Sequence, residues 1–100
     1  MKKDNPSKEQ ARKIFTQAFI DGSVFYTTHC RERMAERGVD VNDLIGLSKG
    51  GLVYNEPEID IKTGEKKYTI EHPSPSLKAV FIIVSEKKIR LLTVITGRKK

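Results

Sequence analysis

At Gly50-Gly51 the hydrophobic pattern of the chain changes period, and this switch restricts the fold more than any other feature of the sequence. Upstream, apolar residues recur at helical spacing. From Leu52 onward they fall in runs rich in Val, Ile, Thr and Tyr, separated by turn signals. Helices first and strands afterwards leave no alternation of strand and helix. The expectation is an α+β domain with segregated elements, N-terminal helices packed on a four-stranded antiparallel sheet. At 100 residues one core is expected, and the whole of 1–100 reads as a single domain.

Within 1–22, Ala11, Ile14, Phe15, Ala18 and Phe19 form the stripe of an amphipathic helix, with Ser7 and Gln10 suited to a capping box and Gly22 to the stop. Ser23 to Tyr26 reads as a short extended link. In 23–51 a second helix is capped by Thr27 or Thr28, runs to about Arg37 and ends at Gly38; a third starts at Asp40, with Asp43 three residues on, and carries Val41, Leu44, Ile45 and Leu47.

The sheet is assigned to 52–97. "LVYNEPEIDI" and "KKYTIEH" flank the turn "KTGE" as one hairpin, Pro57 marking the first as an edge or bulged strand. After the loop "PSPS", "LKAVFIIV" and "IRLLTVIT" flank "SEKK" as a second hairpin. These two strands are apolar on both faces, which predicts central positions with helices on one side and other cover on the other.

Lys plus Arg number 19 against 13 acidic residues, a net charge of +6, and part of the excess sits in Lys2, Lys3, Arg98, Lys99 and Lys100. Such a balance favours a polyanionic partner, either nucleic acid or an acidic protein. The lone Cys30 excludes an internal disulfide and suits a reducing compartment. Neither His29 nor His72 stands at metal-ligand spacing, so no metal and no cofactor is expected. No apolar run approaches a membrane span or a signal peptide, and the expectation is a cytoplasmic protein.

The chemistry concentrates in "YTTHCRERMAERGVD". His29, Arg33 and Arg37 lie four residues apart and form one ridge along the helix, while Cys30 and Met34 make a neighbouring apolar seam. Guanidinium forks bind phosphate oxygens bidentately, and an imidazole moves protons near neutral pH. A metal-independent ribonuclease must deprotonate the 2′-hydroxyl, stabilise charge on phosphorus and protonate the leaving oxygen. His29 suits one proton transfer, and Arg33 and Arg37 suit the charge. The same helix also reads as a charged surface helix whose Arg and Glu side chains pair at helical spacing. Cys30 is assigned to the core, and a thiol in an apolar seam is inert. His72 is either a second acid or base beside the ridge or an ordinary loop histidine. Thr93 is a hydroxyl on an apolar strand face, awaiting a hydrogen-bond partner or chosen for β propensity; Tyr68 either stacks on a base or fills the core.

The run "YTTHCRERMAERGVDVNDL" followed by "KKYTIE", "LKAVFIIV" and "LLTVIT" resembles the prokaryotic domain of unknown function 4258 family, whose pattern is T-x-H-A-x-x-R-M-x-x-R-G-I, a strand hairpin and a closing T-V strand. The likeness spans about Phe25 to Thr96, and its specific part is His29 to Gly38, with Cys30 at the usual Ala position. That family looks like a relative of the RelE/ParE and BrnT toxin superfamily, which includes metal-independent ribonucleases. The resemblance implies a RelE-like architecture and matches His29, Arg33, Arg37 and Thr93 to family motif positions. It implies an endoribonuclease or RNA-binding protein with an antitoxin-like protein as partner; Arg33, Arg37, Lys67, Tyr68 and Arg90 are the nucleic-acid contacts expected from the residues themselves. The alternatives are a non-catalytic module that binds a protein or nucleic acid through the same ridge, and a structural role in which Arg33 and Arg37 pair with sheet acids such as Glu71.

Overall fold

Three side-chain caps fix where the helices begin. The computed structural model describes residues 7–72 and 77–96; the "PSPS" loop and the terminal basic residues Lys2, Lys3, Arg98, Lys99 and Lys100 lie outside the described residues. Ser7 and Gln10 form a capping box at the start of α1 (Lys8–Asp21), and Asp40 and Asp43 form another at the start of α3 (Val41–Gly50). Between them, the Thr27 hydroxyl accepts from the Cys30 backbone N–H at 3.0 Å and starts α2 (Thr28–Arg37). Gly38 ends α2 in the left-handed region at φ 68°, which an L side chain rarely adopts.

Ser23–Tyr26, expected as a link, is a strand. This β1 pairs in parallel with β5 (Lys88–Thr96), so the sheet is five-stranded and mixed rather than four-stranded and antiparallel, in the order β1-β5-β4-β3-β2. A four-residue strand shows too little alternation to be distinguished from a link, and its partner lies at the far end of the chain. The remaining strands are antiparallel: β2 (Glu58–Ile59), β3 (Lys66–His72) and β4 (Leu77–Ser85). The first strand of the predicted hairpin shrinks to the two residues of β2, just after Pro57, plus an isolated bridge from Leu52 to Glu71.

The register sorts the sheet into two faces. Tyr68, Phe81 and Leu91 are paired in one row across β3, β4 and β5, and Ile70, Ala79 and Val94 in another; all six are buried. They face the helix layer, where Ala11, Phe15 and Ala18 from α1, Cys30 from α2, and Leu44 and Leu47 from α3 complete one core. The helices are tied together as well as packed, since the Thr16 hydroxyl donates to the Ser48 carbonyl at 2.9 Å and joins α1 to α3.

The other face carries Phe25, Arg90, Ile82 and Lys67 in one row and Thr93, Val80 and Thr69 in the next. Additional cover was expected here, but no described helix packs on it, and Phe25 and Val84 stand 60% and 51% exposed. Ile82 is nevertheless buried, because the long stems of Arg90 and Lys67 flank it while their charged ends reach Glu65 and Asp60.

A bulge in β5 decides which residues belong to which face. Leu91 pairs with Phe81 and Thr93 with Val80, leaving Leu92 unpaired. Unbroken alternation would put Thr93 on the side of Leu91. The extra residue reverses the phase, so Val94 turns inward and Thr93 joins Arg90 on the open face. The carbonyl of Leu92 accepts from the Thr27 hydroxyl at 3.1 Å, so the bulge also anchors the start of α2.

Candidate nucleic-acid interface

The orientation of α2 is set by its seam. Cys30 is fully buried and Met34 packs against the core, fixing the helix on β5. His29 and Arg37 are therefore exposed, and Arg33 lies half-buried between them on the same ridge. The Arg33 guanidinium donates to the Glu36 carboxylate, an ion pair within the helix rather than the proposed pairing with Glu71. Among the described residues Arg37 has no carboxylate partner, and its place in the last turn complements the negative end of the helix dipole.

The structure brings His29, Arg33 and Arg37 together on one helix, α2, which packs against β5, the strand that carries Thr93. Thr93 is on the open face, while α2 contributes to the core on the other. Its hydroxyl makes only a long contact, 3.5 Å, to the Val94 carbonyl. Lys67 and Arg90 share the open face with Thr93, and each is paired, Lys67 with Asp60 at 3.7 Å and Arg90 with Glu65 at 3.1 Å. Tyr68 is 1% exposed, and its ring stacks on Phe81, so no base can reach it; burial pushes its phenol above the ordinary value. His72 sits at the end of β3 against α3, where it lines a small cavity of about 220 Å³ with Asn42, Asp43 and Leu77.

Cys30 is fully buried, and burial pushes its thiol up to about 11. The native protein is therefore expected to resist a thiol-titrating disulfide reagent at about pH 8 and to react fully once denatured. Rapid reaction without denaturant would show that the α2 seam opens. The linkage has a definite sign. The unfolded chain ionises first, so the stability contribution is intact below the ordinary thiol value of 9.0 and is lost as pH rises toward about 11.

The sequence reading missed a second feature of the open face, a groove of about 440 Å³ beside β1 lined by Phe25, Val84, Lys88 and Arg90 together with Ser23 and Val24. The alternation of Phe25 with the inward-facing Val24 and Tyr26 was the available signal, but it has meaning only once β1 is known to be a strand. Among the described residues, no three His, Cys, Asp or Glu side chains are grouped to hold a metal ion, and no helix is long and apolar enough to cross a membrane. In comparisons with protein-family models, with curated proteins and with solved structures, nothing matches this chain.

Proposed function

We propose that this is a small RNA-binding protein of RelE-like toxin type, which contacts the phosphate backbone through His29, Arg33 and Arg37. The observation that carries this reading is the orientation of α2: with Cys30 and Met34 committed to the core, a ridge of two arginines and a histidine is turned outward on a protein of net charge +6. Guanidinium forks bind phosphate oxygens bidentately, and an exposed arginine loses little by exchanging a surface carboxylate for a phosphate. An acidic antitoxin-like segment would compete for the same ridge by the same chemistry.

Binding is favoured over cleavage because, among the described residues, no hydrogen bond joins Thr93 to His29, Arg33 or Arg37. The Thr93 hydroxyl makes only a 3.5 Å contact to the Val94 carbonyl, and His29 is the proton-transfer group among the three ridge residues. Arg33→Ala and Arg37→Ala are each expected to weaken binding to single-stranded RNA by roughly tenfold and to flatten its dependence on salt, with melting temperatures close to the parent's. Unchanged affinity in both variants at low salt would overturn the reading. The same samples, held in EDTA and assayed for 2′,3′-cyclic phosphate ends, test for turnover: ends produced by the parent and abolished by His29→Ala would make the protein a ribonuclease.

A further inference from the structure

The groove beside β1 has a composition that the packing of the domain does not explain. Ser23 pairs with Lys88 and Phe25 with Arg90, so all four side chains stand on the open face, and the irregularity between Ile83 and Ser85 sets Val84 beside them. Phe25 is a large apolar side chain at 60% exposure, while Val24 and Tyr26 on the same strand do the packing. A buried role for Phe25 is therefore absent among the described residues, and an aromatic ring held in water beside cations is a recognition surface by chemistry.

The charge in the groove has one sign. None of the lining residues is acidic. Among the described residues Lys88 has no carboxylate partner, and Arg90 shares only Glu65, in a pair about one-third exposed on each side. The other nearby acid with a known partner, Asp21, is paired with Lys87. A volume of about 440 Å³ falls in the size range of small-ligand sites, roughly 300–1,000 Å³. An exposed aromatic face in one groove with the Lys88 ammonium matches a flat base joined to a phosphate. An acidic peptide would use the cations and leave the ring without a partner.

We infer that this groove binds one nucleotide of single-stranded RNA, its base stacked on Phe25 and its phosphate held by Lys88. The inference rests on the RNA-binding reading and adds a second contact to it, on the open face of the sheet. Stacking on an aromatic side chain tolerates any base, so little sequence preference is expected.

The test measures affinity of the full chain for a fluorescent oligouridylate and an oligoadenylate at low and moderate salt. Phe25→Leu keeps the apolar bulk but removes the ring face and is expected to weaken binding about tenfold; Phe25→Trp is expected to retain it. Lys88→Ala is expected to reduce the salt slope by about 0.7, the value for one phosphate contact on a single strand. Because Phe25 and Lys88 are exposed, the variants should melt with the parent. If Arg33→Ala and Arg37→Ala weaken binding but Phe25→Leu and Lys88→Ala do not, the inference is overturned and the ridge reading stands. If the reverse holds, the groove is the RNA site and the ridge is not. A parent protein that binds neither oligonucleotide overturns both, and polyglutamate that displaces RNA from the parent and Phe25→Leu proteins alike would reduce the groove to a charge patch.

Discussion

Gly22→Ala is expected to lower the melting temperature by roughly 10–25 °C, the equivalent of about 2–4 kcal/mol in a domain of this size. The reason is space rather than backbone conformation, since Gly22 has φ −111°, which any residue adopts. A Cβ on Gly22 would lie 1.9 Å from the Lys87 carbonyl oxygen and 2.9 Å from its carbonyl carbon. Backbone cannot move aside as a flexible side chain can. The same oxygen accepts from the Ser23 N–H at 2.9 Å, the hydrogen bond that starts the parallel pairing of β1 with β5. Relieving the clash therefore pulls β1 from its partner and exposes Val24 and Tyr26, which pack against the core. Gly46→Ala is the control: a Cβ there meets nothing within 4 Å, and Ala is the better helix former by about 1 kcal/mol, so a small rise is expected. A Gly22→Ala protein that melts with the parent would mean that β1 does not dock on β5 as described.

This strand also marks how far the sequence could be read. The helices were legible because their signals are local: the apolar stripe of α1 and the Ser7 and Asp40 capping boxes each lie within a few residues of the element they define. β3, β4 and β5 were legible because they are long and β-branched. β1 was not, because its identity comes from a partner that is distant in the chain. The β5 bulge was invisible for a related reason. Nothing in "LLTV" reports that Leu92 would be left unpaired, yet that one residue moves Thr93 to the opposite face of the sheet. The α2 ridge survived because helical spacing alone defines it, and the Phe25 groove escaped notice because it exists only when β1, β4 and β5 are side by side.

Tyr68→Ala is expected to be the most damaging of the core changes with a functional interpretation, costing about 3–5 kcal/mol. Among the described residues Tyr68 is the largest fully buried side chain, and its ring begins an aromatic column: Tyr68 stacks on Phe81 at 5.8 Å, Phe81 meets Phe15 of α1 at 4.9 Å, and Phe15 meets Phe19 at 5.1 Å. Truncation opens a cavity where β3, β4 and α1 meet, in a protein whose whole stability is on the order of 5–15 kcal/mol. Tyr68→Phe keeps the ring contacts and is expected to keep most of the stability. The pair of variants separates a core role from an RNA-stacking role, because a base-stacking tyrosine would be exposed and its loss would reduce affinity without lowering the melting temperature. Measured at a temperature where the folded fraction of Tyr68→Ala is known, the folded protein is expected to bind RNA as the parent does. A Tyr68→Ala protein that melts with the parent but has lost its affinity would take this residue out of the aromatic column and put it on the RNA, and the division of the sheet into a packed face and an open face would have to be redrawn.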